Sequence, residues 1–170
     1  MSHDAYAALP GSAQRVARLL AELGHDEPVV VLPESGKTSA QAAAGLGCAV
    51  AQIAKSIIFR RVADNVPVLV IASGVNRVDE AKVAQQVGAL AKADAQYVRA
   101  TTGYAIGGVC PIGHQVKPVM LLDQDLFLHA SLWAAAGHPQ AVFKLTPQQL
   151  AAMTGAAIAD VAQRAAPVGD

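Results

Sequence analysis

The sequence predicts a mixed α/β (α+β) fold, and three observations carry that expectation. Helix-period and strand-like stretches alternate along the whole chain of 170 residues. The apolar runs are short: even residues 66–72 make only a strand-sized segment, well under a membrane span. No unit of roughly 20–50 residues repeats, and no low-complexity block divides the chain. One compact domain over residues 1–170 is the reading.

The elements follow in order. Residues 12–23 place Val16, Leu19, Leu20 and Leu23 on one helical stripe, with Gly24 as a stop. Residues 28–32 form a short apolar strand, and 33–37 a loop. Thr38 and Gln41 make a capping-box pattern that opens an alanine-rich helix ending near residues 45–47. Residues 53–62 are β-branched and apolar, with Arg60 and Arg61 near the end, and read as a strand. Asp64 and Asn65 turn the chain into a second strand at 66–73, giving a hairpin. A loop over 74–79 ends at Asp79, the cap of a helix at 80–87. Asp94 caps another helix at 95–100. Strands are expected at 119–122, 131–135 and 140–145. Thr146 and Pro147 start a last helix. Residues 165–170 read as a frayed end.

Composition narrows the function classes. Hydrophobic residues make up 53% and charged residues 15%, and the formal net charge is zero. A protein that grips long nucleic acid usually carries a basic excess. Any nucleic acid here is therefore a short piece of RNA, or one bound weakly, met by a local patch, and neither DNA nor a membrane surface is indicated. Two cysteines, Cys48 and Cys110, build no disulfide framework, and the N-terminus shows no signal-peptide pattern. The expectation is a cytoplasmic protein.

The densest local signal is residues 101–114, with Gly103, Gly107, Gly108, Gly113 and Pro111. Glycine allows close backbone approach, and proline disfavours the helical region at Cys110. Residues 107–111 therefore read as a stiff loop offering main-chain N–H and C=O groups to a small polar ligand. A plain turn is the competing reading. Lys55 is the odd residue of its strand, set among Ile53, Ile57, Ile58 and Phe59. It either reaches solvent on the polar face or enters a pocket, where burial would depress its pKa.

Other candidates are weaker. Cys110 as a nucleophile would need a base from His114 or His138; a small buried thiol is the commoner use. Cys110, His114, His129 and His138 match no usual metal spacing, so no metal is expected. His129 reads as a structural histidine. Arg60, Arg61 and Arg77 form a local basic patch or a solvated face. Asp123 reads as a turn cap, and Asp64 as turn chemistry.

Three passages together resemble the YbaK/EbsC family of aminoacyl-tRNA deacylases, related to the editing insertion of bacterial prolyl-tRNA synthetase. They are residues 52–59 around Lys55, residues 102–114 with a Gly-x-x-x-Pro pattern from Gly107 to Pro111, and residues 137–150. The likeness spans about 28–161 in one order. It implies a mixed, partly barrel-like sheet with helices packed around it. It implies hydrolysis of the ester of mischarged tRNA, chiefly tRNA for proline, with no metal or organic cofactor. The nucleophile would be water, organised by the substrate's own ribose 2′-hydroxyl. Lys55 would position the terminal adenosine and ester. Gly107, Gly108, Val109, Cys110 and Pro111 would hold the ester and ribose. His138 is a candidate pocket wall, and Ser73 and Asn76 would line the same cavity. The acyl group would be a small wrong amino acid: alanine, cysteine, serine or threonine. The partners implied are the acceptor end of aminoacylated tRNA and prolyl-tRNA synthetase. A second class is a non-catalytic module of the same fold that binds aminoacyl-tRNA or a synthetase.

Overall fold

The computed structural model describes residues 9–33 and 38–164. Helix α1 (Gly11–Glu22) buries Val16 and Leu20 as the stripe predicts. Strand β1 (Val29–Val31) is shorter than expected. Most of the expected 33–37 loop, and the 165–170 end, lie outside the described residues. Helix α2 (Ser39–Leu46) is capped by the Thr38 side chain, which accepts from Gln41 N, and is stopped by Gly47 in the left-handed region. Strands β2 (Ile53–Arg61) and β3 (Pro67–Ser73) form the expected hairpin. Helix α3 (Glu80–Val87), strand β4 (Leu90–Lys92) and helix α4 (Ala95–Thr102) follow, with Asp79 and Asp94 as the helix caps.

Strand β5 (Val119–Asp123) runs into a short 3₁₀ turn, Gln124–Leu128, that Asp123 caps. Strands β6 (Leu132–His138) and β7 (Ala141–Leu145) form a second hairpin. Strand β6 runs past the expected end at residue 135 by means of a bulge between Ala135 and His138. Helix α5 (Pro147–Thr154) opens with a full capping box between Thr146 and Gln149, and strand β8 (Ala157–Ala159) closes the fold. The two strands absent from the sequence reading, β4 and β8, are three residues each, too short for a period to show.

All eight strands join one mixed sheet in the order β1-β7-β6-β2-β3-β5-β8, with β4 pairing to β2 outside this path. The α/β expectation, a mixed sheet with helices around it, agrees with this. Strand β3 lies inside the sheet, between β2 and β5, and every residue of it is buried. Its Leu69 and Ile71 pack into one core with Val16 and Leu20 of α1, Val98 of α4 and Leu150 of α5. Its Val68, Val70 and Ala72 face a second core with Val83 of α3. A third, smaller core joins Ala42 and Ala43 of α2 to Ile53 and Val142. Truncating Ile71 to alanine would cost about 2–5 kcal/mol through lost burial and the cavity left behind.

Candidate active site

The site arises where the sheet forks. Gly74 N donates to Ile53 O at 2.8 Å, and Arg61 N donates to Val66 O at 2.9 Å. Antiparallel pairing alternates, so the odd-numbered residues of β2 direct their main-chain groups at β3 and the even-numbered ones away from it. On that far edge Ala54 meets Ala134 of β6, and Arg60 meets Ala91 of β4. Between them, Ser56 meets no strand on that edge. A cavity of about 500 Å³ fills the divergence, within the size range of small-molecule sites. Residues 53–56 of β2, residues 133–135 of β6, the start of α2 at residues 38–40, Gly107, Val109 and Pro139 are among its walls.

Lys55 lines this cavity and is half-buried. Its Nζ donates to the main-chain oxygen of Asn76 at 2.5 Å. Burial is the main cause of a pKa below the ordinary lysine value; nearby Arg77 lowers it further, and Asp123 opposes. Among the described residues no carboxylate lies within ion-pair distance of Nζ. The described walls of the cavity hold this one cation and no acidic side chain. The N-terminal turn of α2 adds its positive dipole end. The cavity therefore favours negative charge, such as a phosphate or the oxyanion that forms when an ester is attacked.

The glycine loop splits into two parts. Gly107, with φ +91°, and Val109 face the cavity. Gly108 lies against the His138 backbone so closely that a Cβ there would stand 2.8 Å from the His138 Cα. The rest turns inward, contrary to a cradle of exposed main chain. Cys110 is fully buried, and burial pushes its thiol up to about 12. Pro111 is buried and borders a different cavity of about 250 Å³. Tyr104 Oη donates to Ile112 O at 2.8 Å, His114 Nε2 donates to Cys110 O at 2.6 Å, and Arg15 donates to Gly113 O. Desolvation lowers the His114 pKa, which keeps the ring neutral. These bonds explain why the loop is stiff. They also occupy the Cys110 carbonyl, one of those that the sequence assigned to a ligand, and a thiol with so high a pKa makes a poor nucleophile.

The remaining candidates are placed as follows. Ser73 is buried, and its Oγ donates to Ala51 O at 2.8 Å; it supports the end of β3 and is not among the cavity walls. Asn76 touches the site through its carbonyl, the acceptor for Lys55. His138 is also outside the described walls; its Nδ1 accepts from Gln140 N at 3.1 Å, and the neighbouring Pro139 lines the cavity instead. His129 ends the 3₁₀ turn. Among the described residues no group of three or more His, Cys, Asp or Glu is placed to share a metal ion. Of the two readings of Arg60, Arg61 and Arg77, a local basic patch or a solvated face, the patch does not assemble. Arg61 pairs with Asp64 at 2.8 Å at the hairpin turn, roughly 20 Å along the strand from Lys55, whereas Arg77 lies near Lys55.

Asp123 is the residue whose reach the sequence hid. It is fully buried and accepts from Ser73 N at 3.0 Å, Asn76 Nδ2 at 2.8 Å and Asp125 N at 2.9 Å. It thus fixes the turn whose carbonyl holds Lys55. Only the cap on Asp125 was legible from its place after a strand. Trp133, another wall, gave no signal beyond a strand position.

The family model for an aminoacyl-tRNA editing domain matches residues 33–153. The uncharacterized protein YwhH of Bacillus subtilis (strain 168) is 32% identical over 140 residues, which is 82% of this chain and 88% of that protein. A crystal structure of a candidate trans-editing enzyme for prolyl tRNA synthetase is 41% identical, with a TM-score of 0.87 over 92% of this chain and all of the other. The crystal structure of hypothetical protein APE2540 is 27% identical, with a TM-score of 0.81 over 88% of this chain and 99% of that one.

Proposed function

Because this chain belongs to the aminoacyl-tRNA editing domain family, we propose that it is a trans-acting deacylase of mischarged tRNA, with tRNA for proline as the main substrate. The observation that carries this reading is the cavity that Lys55 shares with Gly107. Water attacks the ester carbonyl. The bond from that carbon to the ribose oxygen breaks, releasing the amino acid and leaving a free hydroxyl on the terminal adenosine. The ester is already activated, so the protein's part is to position the substrate and stabilise the developing oxyanion. Lys55, held by the Asn76 carbonyl, supplies the charge, and Gly107 admits the ribose end close to the main chain. Removing one such preorganised donor costs about 3 kcal/mol of transition-state stabilisation. Ser73, Asn76 and His138 serve as supports behind the walls.

No helix among the described residues is long and apolar enough to cross a membrane, and the net charge is zero. The protein would work in the cytoplasm and recognise only the acceptor end, with prolyl-tRNA synthetase as a second partner. A deacylation panel across tRNAs charged with alanine, cysteine, serine and threonine tests the reading. Release of at least one amino acid, lost in Lys55→Ala, is expected. Binding of tRNA without any release would instead make the protein a non-catalytic module.

A further inference from the structure

The chain after β8 crosses back over the turn that holds Lys55. Residues 160–164 lie antiparallel to residues 77–79. Asp79 N donates to Val161 O at 2.7 Å, and Gln163 N donates to Arg77 O at 2.8 Å. Val78 and Ala162 pair between these two bonds. Val161 and Ala162 are fully buried, and Val161 shares a core with Val78 and Val83. Lys82 of α3 donates to Asp160 Oδ2 at 2.9 Å and to Ala162 O at 2.8 Å, which fixes this strap to the helix. The strap follows the segment, residues 33–153, that the family model matches.

The strap ends in a charged clasp. Arg164 donates to both oxygens of Asp125, at 2.9 and 3.3 Å, and to Asp160 Oδ1 at 3.0 Å. The same Asp125 Oδ2 that meets Arg164 Nη1 accepts from Asn76 Nδ2 at 2.8 Å. The Asn76 carbonyl in turn accepts from Lys55 Nζ. The bond from Arg164 is the first cause of an Asp125 pKa below the ordinary carboxylate value, so the acceptor that meets Asn76 stays charged at neutral pH. The Arg164 side chain is 44% exposed, and exposed ion pairs add little stability. A two-pronged bond to a carboxylate does fix direction, however. The value of the clasp is therefore geometric.

We propose that Arg164 is a positioning residue for Lys55: through Asp125 and the Asn76 turn, it holds the amine where the ester is attacked. This rests on the deacylase reading and adds a remote support that touches no substrate.

The test is single-turnover deacylation of tRNA for proline carrying alanine, with the protein in excess at increasing concentrations. Wild type, Arg164→Ala, Arg164→Lys, Asn76→Ala and the double variant Asn76→Ala/Arg164→Ala are compared. Asn76→Ala cuts the link between clasp and turn but keeps the carbonyl that Lys55 uses. A displacement of about 1 Å can cost about 10²-fold. Asp123 still holds Asn76 when Arg164 is lost, so a smaller fall of about 10-fold in the maximal rate is expected for Arg164→Ala. The half-saturating concentration and the melting midpoint should stay near wild type. Arg164→Lys, which keeps the charge and loses the fork, should fall between the two. In the Asn76→Ala background the same arginine change should matter by less than 2-fold. Equal slowing in both backgrounds would overturn the proposal. So would a raised half-saturating concentration at an unchanged maximal rate, the mark of a direct contact with RNA. An unchanged rate in Arg164→Ala would overturn it too and leave the deacylase standing. No release of any amino acid by wild type would overturn both.

Discussion

Strand β2 carries a cation near each end, and the two meet opposite fates. Arg61, at the hairpin turn, makes two hydrogen bonds to the Asp64 carboxylate, at 2.9 and 2.8 Å, in an exposed setting. Those bonds hold its pKa up and that of Asp64 down. Lys55, at the cavity, has a neutral carbonyl as its partner, and burial holds its pKa down. An ion pair spends its charge on its neighbour, whereas a cation bonded to a carbonyl still projects its field into the space around it. On the proposed function, the comparison separates a structural cation from a working one on a single strand. Four experiments would break or sharpen it.

The largest effect belongs to Lys55 itself. Lys55→Ala should lower the single-turnover rate by about 10²–10³-fold, with little loss of stability because the side chain is only half-buried. Next is Asp123→Ala, which leaves Ser73 N and Asp125 N without their acceptor and Asn76 Nδ2 with Asp125 alone. A loss of about 3 kcal/mol in urea unfolding is expected. The rate should fall as well, since the Asn76 carbonyl no longer fixes Lys55; an unchanged rate would detach that turn from the site.

The third effect concerns pH. If Lys55 acts as a cation, log(kcat/KM), corrected for uncatalysed hydrolysis, should fall on the alkaline side below the ordinary lysine pKa of about 10.4. The sign follows from burial: loss of the proton removes the charge, and burial makes that loss easier. Arg77→Ala removes the nearby like charge and should move the fall to higher pH. A profile that stays flat through this range would contradict the role. The smallest effect is that of Cys110→Ser. The hydroxyl should cost about 1–3 kcal/mol of stability in its apolar site and leave the rate within a few-fold. Abolished activity in a folded variant would restore the thiol as nucleophile.

Which features were legible follows from how local their causes are. The caps at Thr38, Asp79, Asp94 and Thr146 act over three residues, and each one forms. The β2–β3 hairpin was written in Asp64 and Asn65, the latter at φ +61°. Lys55 stood out because an amine interrupts an apolar run. The division of the glycine loop was not legible, because burial of Cys110 and Pro111 depends on Tyr104, Arg15 and the cores beneath them. Nor was the link from Asp123 through Asn76 to Lys55, which spans 47 residues in its first step alone.

The most direct test sets the two cations of β2 side by side: single-turnover deacylation of tRNA for proline carrying alanine, by wild type, Lys55→Ala and Arg61→Ala. The account predicts at least a 100-fold loss for Lys55→Ala and an unchanged rate for Arg61→Ala. Equal rates for all three proteins would contradict it.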